Sequence, residues 1–283
     1  MKVVPASAYR LDFLADLYTL TFAGYFYAAV VTADDMARFV RVEDLDLAHS
    51  PVLCVGDEPA ALATVCLRGE RASCRGFGVT RPYRGRGLAH ALCGAMLDYA
   101  CKAGARTMRL GVLVQNEGAV RTYLQAGFRV TRRLLSWEWE PQRPSPPPSP
   151  SGGGGSETGQ GAIQACQPGS LLDHFDRLHP VAPIWPRELT SLRRLDTLVG
   201  VALVADNRPT AYALVEPDAA DGATILDLAA ETTAGAVAVL AGLQARYRRL
   251  ACSNEPEDSP VLAAFQAAGF ALTHERYEML KDL

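Results

Sequence analysis

A segment rich in proline, glycine and serine divides this chain of 283 residues into two parts. Residues 141–161 contain too few apolar side chains to form a core, so we expect a stiff, extended proline-rich half followed by a flexible glycine–serine half. Residues 151–156 have the composition of an engineered linker, although natural chains also contain such runs. The sequence therefore predicts two folded domains, residues 1–140 and residues 162–283, joined by this linker.

The composition limits the classes of protein to which the chain can belong. Its 49% hydrophobic and 21% charged residues are typical of globular domains. Because the sequence has no run of about 18 apolar residues and no signal-peptide pattern at its start, we expect a cytoplasmic protein with no membrane partner. The 7 cysteines are scattered along the chain, which predicts reduced thiols, no disulfide framework and no metal site.

The charged residues are unevenly distributed between the two parts. Residues 1–140 hold 17 basic and 14 acidic side chains, a formal charge of +3, and the rest of the chain carries −6, which gives the net charge of −3. The positive excess of the first part suits a phosphate-bearing cofactor, but it is too small to indicate a nucleic-acid partner.

Both parts show the same order of predicted elements. Each has two strands separated by a polar turn, then a third strand, a long helix, and a short helix that ends in Ala-Gly-Phe at residues 126–128 and 268–270. Such a repeat predicts two copies of one α/β unit. The alternative is an unrelated second α/β domain in which Ala-Gly-Phe occurs by coincidence.

A glycine-containing turn lies between the third strand and the long helix of the first part. It reads Arg-Gly-Arg-Gly at residues 84–87, and glycine allows an anion to approach the backbone closely. Amide groups in the first turn of a helix have no intrahelical partner and the helix dipole is positive there, so the turn predicts a phosphate site. The residues predicted to bind the phosphates are Arg84, Gly85, Arg86, Gly87, Ala89 and His90. A dinucleotide loop (G-x-G-x-x-G) fits poorly, because His90 occupies the place of the third glycine, and a ligand-free turn is the other alternative.

A second motif follows the next predicted strand. Asn116 precedes a predicted helix and is a suitable cap for it. Ala119 and Tyr123 are four positions apart and therefore share one face of that helix. Gly127 is expected to end the helix, and Phe128 to begin a strand.

The two motifs resemble the signatures of one family. The spacing Arg84-x-x-Gly87-x-Ala89 resembles the Arg/Gln-x-x-Gly-x-Gly/Ala signature of the GCN5-related N-acetyltransferases (GNAT), and residues 116–128 resemble the family's N-x-x-A-x-x-x-Y-x-x-x-G-F motif. The resemblance implies an α/β (α+β) fold with two tandem GNAT units, each a mixed, mostly antiparallel central sheet flanked by helices. It covers the first part of the chain, where both motifs lie.

The resemblance also implies an activity and roles for residues. It implies an N-acetyltransferase with acetyl-CoA as cosubstrate and no metal, in which the amine of a small molecule or of a protein attacks the thioester directly. In the family, backbone amides on the strand before the turn polarise the thioester carbonyl, which implies Phe77 and Val79 here. Tyr123 is implied as the general acid that protonates the leaving thiolate, and Asn116 is counted with the cofactor-binding residues. Glycines 76 and 78 flank Phe77 and predict a bulge or a close approach of the ligand.

Several points stay open at the level of the sequence. The base that deprotonates the amine is either Glu70 or ordered water, while Cys74 has no histidine partner in view and is discounted as a nucleophile. A non-catalytic acyl-CoA-binding or regulatory module is the alternative function, and the protein is either a monomer or a homodimer.

The acceptor is expected to bind after the first helix. Four aromatic residues and a group of carboxylates there suit an amine with an apolar body, although a helix packed on the core with a solvated acidic turn is an equal alternative. The residues in question are Phe22, Tyr25, Phe26 and Tyr27, with Asp34, Asp35, Glu43, Asp44 and Asp46.

The second part lacks the features that predict chemistry in the first. Residues 231–237 replace the glycine turn, and Phe265 stands where Tyr123 stands relative to Ala-Gly-Phe. The second part is therefore predicted to be a degenerate copy that shapes the acceptor cleft or serves as a scaffold.

Overall fold

A computed structural model describes residues 1–27, 29–141 and 162–283, so nearly all of the predicted linker lies outside the described residues. The chain divides into two compact units. The first unit consists of Met1–Arg133 together with Arg276–Leu283, and the second of Leu134–Glu275. The compact units therefore do not follow the linear boundaries expected at residues 140 and 162, because the last segment of the chain belongs to the first unit.

The described helices and strands follow one another in the order that the repeat predicts. The helices are α1 (Leu11–Thr21), α2 (Ala33–Glu43), α3 (Leu88–Lys102), α4 (Glu117–Gln125), α5 (Pro168–Leu172), α6 (Phe175–Leu178), α7 (Leu189–Leu192), α8 (Thr233–Gln244) and α9 (Leu262–Ala267). The strands are β1 (Lys2–Pro5), β2 (Pro51–Val55), β3 (Glu58–Arg68), β4 (Arg71–Val79), β5 (Thr107–Leu113), β6 (Arg129–Trp139), β7 (Ala162–Cys166), β8 (Val199–Ala205), β9 (Arg208–Pro217), β10 (Gly222–Ala230), β11 (Arg249–Pro256) and β12 (Ala271–Asp282).

The first unit contains a mixed, mostly antiparallel sheet. Strands β1, β2, β3 and β4 pair antiparallel in that order, and β4 then pairs parallel with β5. The other edge of β5 pairs antiparallel with residues 276–282 of β12. The C-terminal strand of the chain thus continues the sheet of the first unit.

Helices cover both faces of this sheet. On one face, α3 and α4 pack on a core in which Leu92, Met96, Met108 and Met279 are fully buried. On the other face, α1 packs against β3 and β4, and α2 packs against α1. Met279 pairs with Leu110 of β5, so the C-terminal strand contributes to the core as well as to the sheet.

The second unit repeats this arrangement. Strands β7, β8, β9 and β10 pair antiparallel in order, β10 pairs parallel with β11, and β11 pairs antiparallel with residues 134–139 of β6. Helices α8 and α9 cover a core that contains Leu240 and Phe265. The short helices α5, α6 and α7 cover the opposite face, around Tyr212. The predicted fold class, a mixed sheet flanked by helices in each half, is confirmed.

Replacing Met279 tests the place of the C-terminal strand. Since its side chain is fully buried in the core of the first unit, Met279→Ala should lower the free energy of unfolding by about 2–5 kcal/mol, and Met279→Leu by less than about 1.5 kcal/mol. Urea denaturation followed by circular dichroism measures the loss, and hydrogen exchange in β5 localises it. Wild-type stability of Met279→Ala with unchanged exchange in β5 would show that this strand lies elsewhere.

Candidate active site

The candidate site of the first unit is a gap between two parallel strands. Strands β4 and β5 pair from Arg71–Thr107 to Cys74–Leu110 and then part, although both strands continue. The register of β4 against β3 shifts at the same point, because Arg75 has no residue opposite it. A bulge of this kind bends the strand and increases its twist, so residues 75–79 diverge from β5.

Two backbone amides of β4 face this gap. The amide of Thr80 donates to the carbonyl of Ala60 at 2.8 Å, and in an antiparallel ladder only every second residue bonds to the partner strand. The amides of Gly78 and Gly76 therefore face β3, whereas those of Phe77 and Val79 point toward the gap. This is the arrangement that the family resemblance implies for Phe77 and Val79, and their contact with a cosubstrate stays a prediction.

The glycines of β4 make room for a helix. A Cβ atom at Gly76 would lie 2.2 Å from Cε2 of Tyr18, and one at Gly78 would lie 2.6 Å from Cβ of Thr21. Both partners belong to α1. The predicted bulge is present at Arg75, but the interpretation of these glycines as a close approach to the ligand is wrong, since α1 fills that space.

The glycine turn presents backbone amides at the start of α3. Gly85 and Gly87 have positive φ angles of 74° and 81°, a conformation that glycine adopts without steric cost. No side chain caps the helix at Gly87. Within the described parts of the chain, no acceptor bonds the amides of residues 85–89. The amide of His90, which was expected to bind phosphate with the others, donates to the carbonyl of Gly87 at 3.1 Å. The amides available for an anion are therefore those of residues 85–89.

The two arginines of the turn differ in their surroundings. The guanidinium of Arg84 donates to the carbonyls of Val79, Thr21 and Ala23, each at 2.9 Å. Arg86 is exposed, and its guanidinium carbon lies 5.6 Å from the ring centroid of Tyr83. Ala89 follows in the first turn of α3. Contacts of these residues with phosphate stay predictions.

Tyr123 lies beside the strand that borders the gap. It is buried, and its ring lies 5.4 Å from that of Phe77 and 5.7 Å from that of Phe128. Burial raises the pKa of Tyr123 well above its usual value, and the neighbouring groups Cys74, Cys93 and Tyr25 raise it further. No described residue forms a hydrogen bond with the phenol group. The group is therefore neutral and has a proton to donate.

Asn116 acts as the predicted helix cap. Its side chain accepts a hydrogen bond from the amide of Ala119 at 3.3 Å. Burial raises the pKa of Tyr25, and a hydrogen bond with the Asn116 side chain opposes that rise. Asn116 thus lies near Tyr25, while cosubstrate binding by Asn116 stays a prediction.

Two other groups named from the sequence do not fit chemical roles. Glu70 is exposed at the start of β4, forms an ion pair with Arg106 at 2.9 Å, and lies roughly 20 Å along the strand from Phe77. The hypothesis that Glu70 is the base is therefore wrong on distance. Burial raises the pKa of Cys74 to about 12, so this thiol is a poor nucleophile.

The aromatic residues after α1 form one connected cluster. The rings of Tyr18 and Phe22 stack at 4.8 Å, and edge contacts of 5.1–5.2 Å connect Phe22 to Tyr25 and Tyr25 to both Phe26 and Tyr27. Phe26 is 54% exposed. Arg276 of the C-terminal strand donates to the hydroxyl of Tyr27 at 3.0 Å, a contact between sequence-distant residues that the sequence analysis did not predict.

The carboxylates near this cluster mostly serve the structure. Asp35 and Thr32 form a capping box at the start of α2, and Asp46 accepts from the amides of Ala48 and His49. Asp44 pairs with Arg68 at 2.7 Å, and Glu43 with Arg75 at 3.1 Å. Most of the carboxylates that were expected to bind an amine therefore already form local contacts. Asp34 lies in the first turn of α2.

The second unit keeps the gap, but a side chain caps the helix that follows it. Strands β10 and β11 stop pairing after Ile225–Cys252, again next to a bulge, at Leu226. The helix that follows begins at Thr233, and the hydroxyl of Thr232 accepts a hydrogen bond from the amide of Gly235 at 3.1 Å. One of the amides that would bind an anion is thus already bonded within the unit, and Phe265 offers no hydroxyl.

The second unit also contains a buried charged cluster that no sequence motif indicates. Asp227 has no exposed surface and accepts hydrogen bonds from Nε2 of His179 at 3.0 Å and from the hydroxyl of Tyr212 at 2.9 Å. Arg187 pairs with Glu255 and lies 3.6 Å from Asp227. The members are far apart in the sequence and form no motif, so only the fold brings them together.

The surroundings of His179 favour its charged form. Burial alone would lower its pKa, but the carboxylate of Asp227 and the carbonyl of Phe175, which lies 2.9 Å from Nδ1, outweigh burial and raise it. Burial would raise the pKa of Asp227, but His179 and Arg187 lower it. A protonated imidazole satisfies both of its acceptors with N–H groups.

The second unit should therefore lose stability as the pH rises. A histidine whose folded pKa is raised stabilises fully below its unfolded pKa of about 6.5, and this contribution is lost as the pH passes the folded value. All 3 tryptophans (137, 139 and 185) belong to the second unit, so urea unfolding followed by tryptophan fluorescence reports on it. The midpoint should fall as the pH rises above about 6.5, and His179→Gln should flatten this dependence. An equal slope in both proteins would contradict the assignment.

Neither a metal nor a membrane helix is found in what the structure describes. Its residues include no group of three or more His, Cys, Asp or Glu side chains that could hold a metal ion. Within the same ranges, no helix is long and apolar enough to cross a bilayer.

Comparison with known proteins places the first unit in a family. Residues 12–128 match the profile of the acetyltransferase (GNAT) family. A comparison with curated proteins gives no match.

Solved structures resemble the whole chain. A GCN5-related N-acetyltransferase from Sphaerobacter thermophilus is similar with a TM-score of 0.71 and 16% identity, covering 99% of this chain and 95% of that one. A tandem GNAT protein from the clavulanic acid biosynthesis pathway has a TM-score of 0.70 and 15% identity, covering 99% and 98%. A GCN5-related N-acetyltransferase from Anabaena variabilis has a TM-score of 0.62 and 16% identity, covering 99% and 72%. At these identities the similarity establishes the fold alone, and it confirms the two tandem GNAT folds.

Proposed function

Because residues 12–128 form a domain of the GNAT acetyltransferase family, we propose that the protein transfers the acetyl group of acetyl-CoA to an amine by direct attack. The observation that carries the proposal is the combination, within the first unit, of a strand gap with two inward-facing amides, a helix terminus with unbonded amides, and a buried neutral tyrosine. In the second unit, Thr232 caps the helix that follows the gap, and Phe265 stands in the place of Tyr123.

The turn between β4 and α3 is suited to a diphosphate. Its amides at residues 85–89 have no acceptor among the described residues, and the dipole of the 15-residue helix α3 adds a positive potential there. Arg86 supplies a nearby positive charge. Acetyl-CoA would bring an activated thioester, and these groups would hold its diphosphate without a metal.

The reaction places two demands on the protein. When the amine nitrogen attacks the thioester carbon, negative charge develops on the carbonyl oxygen, and the amides of Phe77 and Val79 face the gap in which that charge would lie. The carbon–sulfur bond then breaks, the departing sulfur takes the proton of Tyr123, and the amine releases a proton to water. That proton returns to Tyr123 through water, so the enzyme ends unchanged.

The acceptor is proposed to carry an apolar or aromatic body. The cluster of residues 22–27 is joined to the end of β4 by Arg84, which donates to the carbonyls of Ala23 and Val79, and Phe26 offers an exposed ring. A small-molecule amine and a protein amino group both meet this requirement. The free cysteines suit a reducing compartment such as the cytoplasm.

One observation favours a second function. Glu70, the side chain proposed as base, lies far from the gap, so a domain that binds acyl-CoA without turnover is the alternative. Incubation of the protein with acetyl-CoA and a panel of amines separates the two, because only the enzyme releases free CoA thiol in proportion to an added amine.

Gly87→Glu should abolish CoA binding. The substitution adds a negative charge at the proposed diphosphate site, and we expect the dissociation constant of CoA to rise at least about 100-fold by isothermal titration calorimetry. Gly104→Glu is the matched control, because Gly104 is also exposed, has a positive φ of 85° and has open space around it. Equal CoA binding by the two variants would mean that the turn does not hold the phosphates.

Tyr123→Phe should lower the turnover number by about 10²–10⁴-fold with little change in CoA affinity. Since burial raises the pKa of Tyr123 well above its usual value, loss of its proton should not reduce the rate of the wild type between about pH 7 and 10. Steady-state rates over this range test both points. A wild-type turnover number in Tyr123→Phe, or a falling limb below pH 10 that this substitution removes, would contradict the assignment.

A further inference from the structure

The side chain of Arg84 donates hydrogen bonds to three backbone carbonyls. Its Nε donates to the carbonyl of Val79 at the end of β4, and its Nη2 donates to the carbonyls of Thr21 and Ala23. All three distances are 2.9 Å, which is the usual length for such hydrogen bonds. The planar fork of the guanidinium thus connects the end of β4 to the end of α1.

These carbonyls need a donor. Thr21 is the last residue of α1, and the final carbonyls of a helix have no intrahelical partner. A cation at this position also interacts favourably with the negative end of the helix dipole. Arg84 therefore meets a structural demand of α1 that exists whether or not a ligand is bound.

The aromatic segment, defined as residues 22–27, begins at this connection. Ala23 belongs to it, and the guanidinium of Arg81 approaches Gly24, lying 3.5 Å from the position that a Cβ atom would take there. Gly24 has a positive φ of 74°, so the segment turns sharply at this point. Two arginines of the turn before α3 thus contact the start of the segment proposed to receive the acceptor.

In the second unit an arginine also joins a helix to the end of the strand before the gap, although its position and its partners differ. Arg177 of α6, in the segment that corresponds to α1 and α2, donates to the carboxylate of Glu231 and to the carbonyl of Pro209. Glu231 follows β10 directly, as Thr80 follows β4. This unit has no glycine turn, yet an arginine still joins the helical segment to the end of the strand. A contact of this kind thus also occurs in a unit that has no glycine turn.

We infer that Arg84 is a positioning residue, which fixes the aromatic segment beside the gap and is not needed for phosphate binding. The acceptor side of this inference rests on the proposed function, whereas the fixing of the segment does not. Arg84, the first residue of the Arg84-x-x-Gly87-x-Ala89 motif, then acts on the acceptor side of the site. The backbone amides of the turn and Arg86 bind the phosphates.

Chymotrypsin digestion of the unliganded full-length protein tests the inference directly. The protease cleaves after aromatic residues in mobile backbone, so release of the segment should expose the half-buried Phe22, Tyr25 and Tyr27 and loosen the backbone at Phe26. We expect Arg84→Gln to accelerate cleavage within residues 22–27 about tenfold, as quantified by mass spectrometry, and Arg84→Lys to restore part of the protection. Arg86→Gln is the matched control from the same turn and should be cleaved like the wild type.

Calorimetric titration with CoA supplies the second readout. Arg84→Gln should keep the dissociation constant of CoA within about threefold of the wild type, and Arg86→Gln should raise it about tenfold, which a general loss of folding would not produce. Unchanged cleavage in Arg84→Gln, or a tenfold loss of its CoA affinity, would overturn the inference. Failure of the wild type to bind CoA would instead refute the proposed function, and the digestion would still decide the role of Arg84.

Discussion

The parting of β4 from β5 is the constraint on which the candidate site depends. A parallel pair normally satisfies the edge amides of both strands, but pairing here stops at Cys74 and Leu110. The bulged residue Arg75 is held by its ion pair with Glu43 and by the ring of Phe39, which lies 3.4 Å below its guanidinium. Helix α2 therefore fixes the bulge, and the bulge leaves two amides of β4 pointing toward the gap.

The two units show how the same gap can have different consequences. In the first unit, glycine at positions 76 and 78 lets α1 lie directly on β4, and the gap borders a neutral tyrosine and an uncapped helix. In the second unit, Asp227 takes the position after the bulge, and the positive charges of His179 and Arg187 balance its carboxylate. Thr232 caps the helix that follows. The second unit thus uses its own side chains where the first leaves groups available for a ligand.

Local features of the site could be read from the sequence, because they depend on neighbouring residues. The long helix expected after the glycine turn is α3, and Asn116 caps α4 as expected from its type and position. The capping box of Thr32 and Asp35 could also have been predicted from the local sequence, and it shows that Asp35 caps α2. The role of the glycines of β4 was misread, because the sequence does not reveal which helix packs on a strand.

Long-range features could not be read in this way. The alternation of a strand predicts which face is buried but not which strand lies beside it, so the addition of residues 276–282 to the sheet of the first unit was not foreseen. The hydrogen bond of Arg276 to Tyr27 and the cluster around Asp227 could not be predicted for the same reason. In each case the partners are distant in the sequence, and only the topology brings them together.

Hydrogen exchange measured with and without CoA shows which unit holds the ligand. If the gap and the glycine turn of the first unit hold the ligand, CoA should slow exchange at the amides of residues 77, 79 and 85–89 and leave the amides of residues 228–235 unchanged. Protection confined to the second unit, or none in either, would show that the gap and the glycine turn of the first unit do not hold CoA.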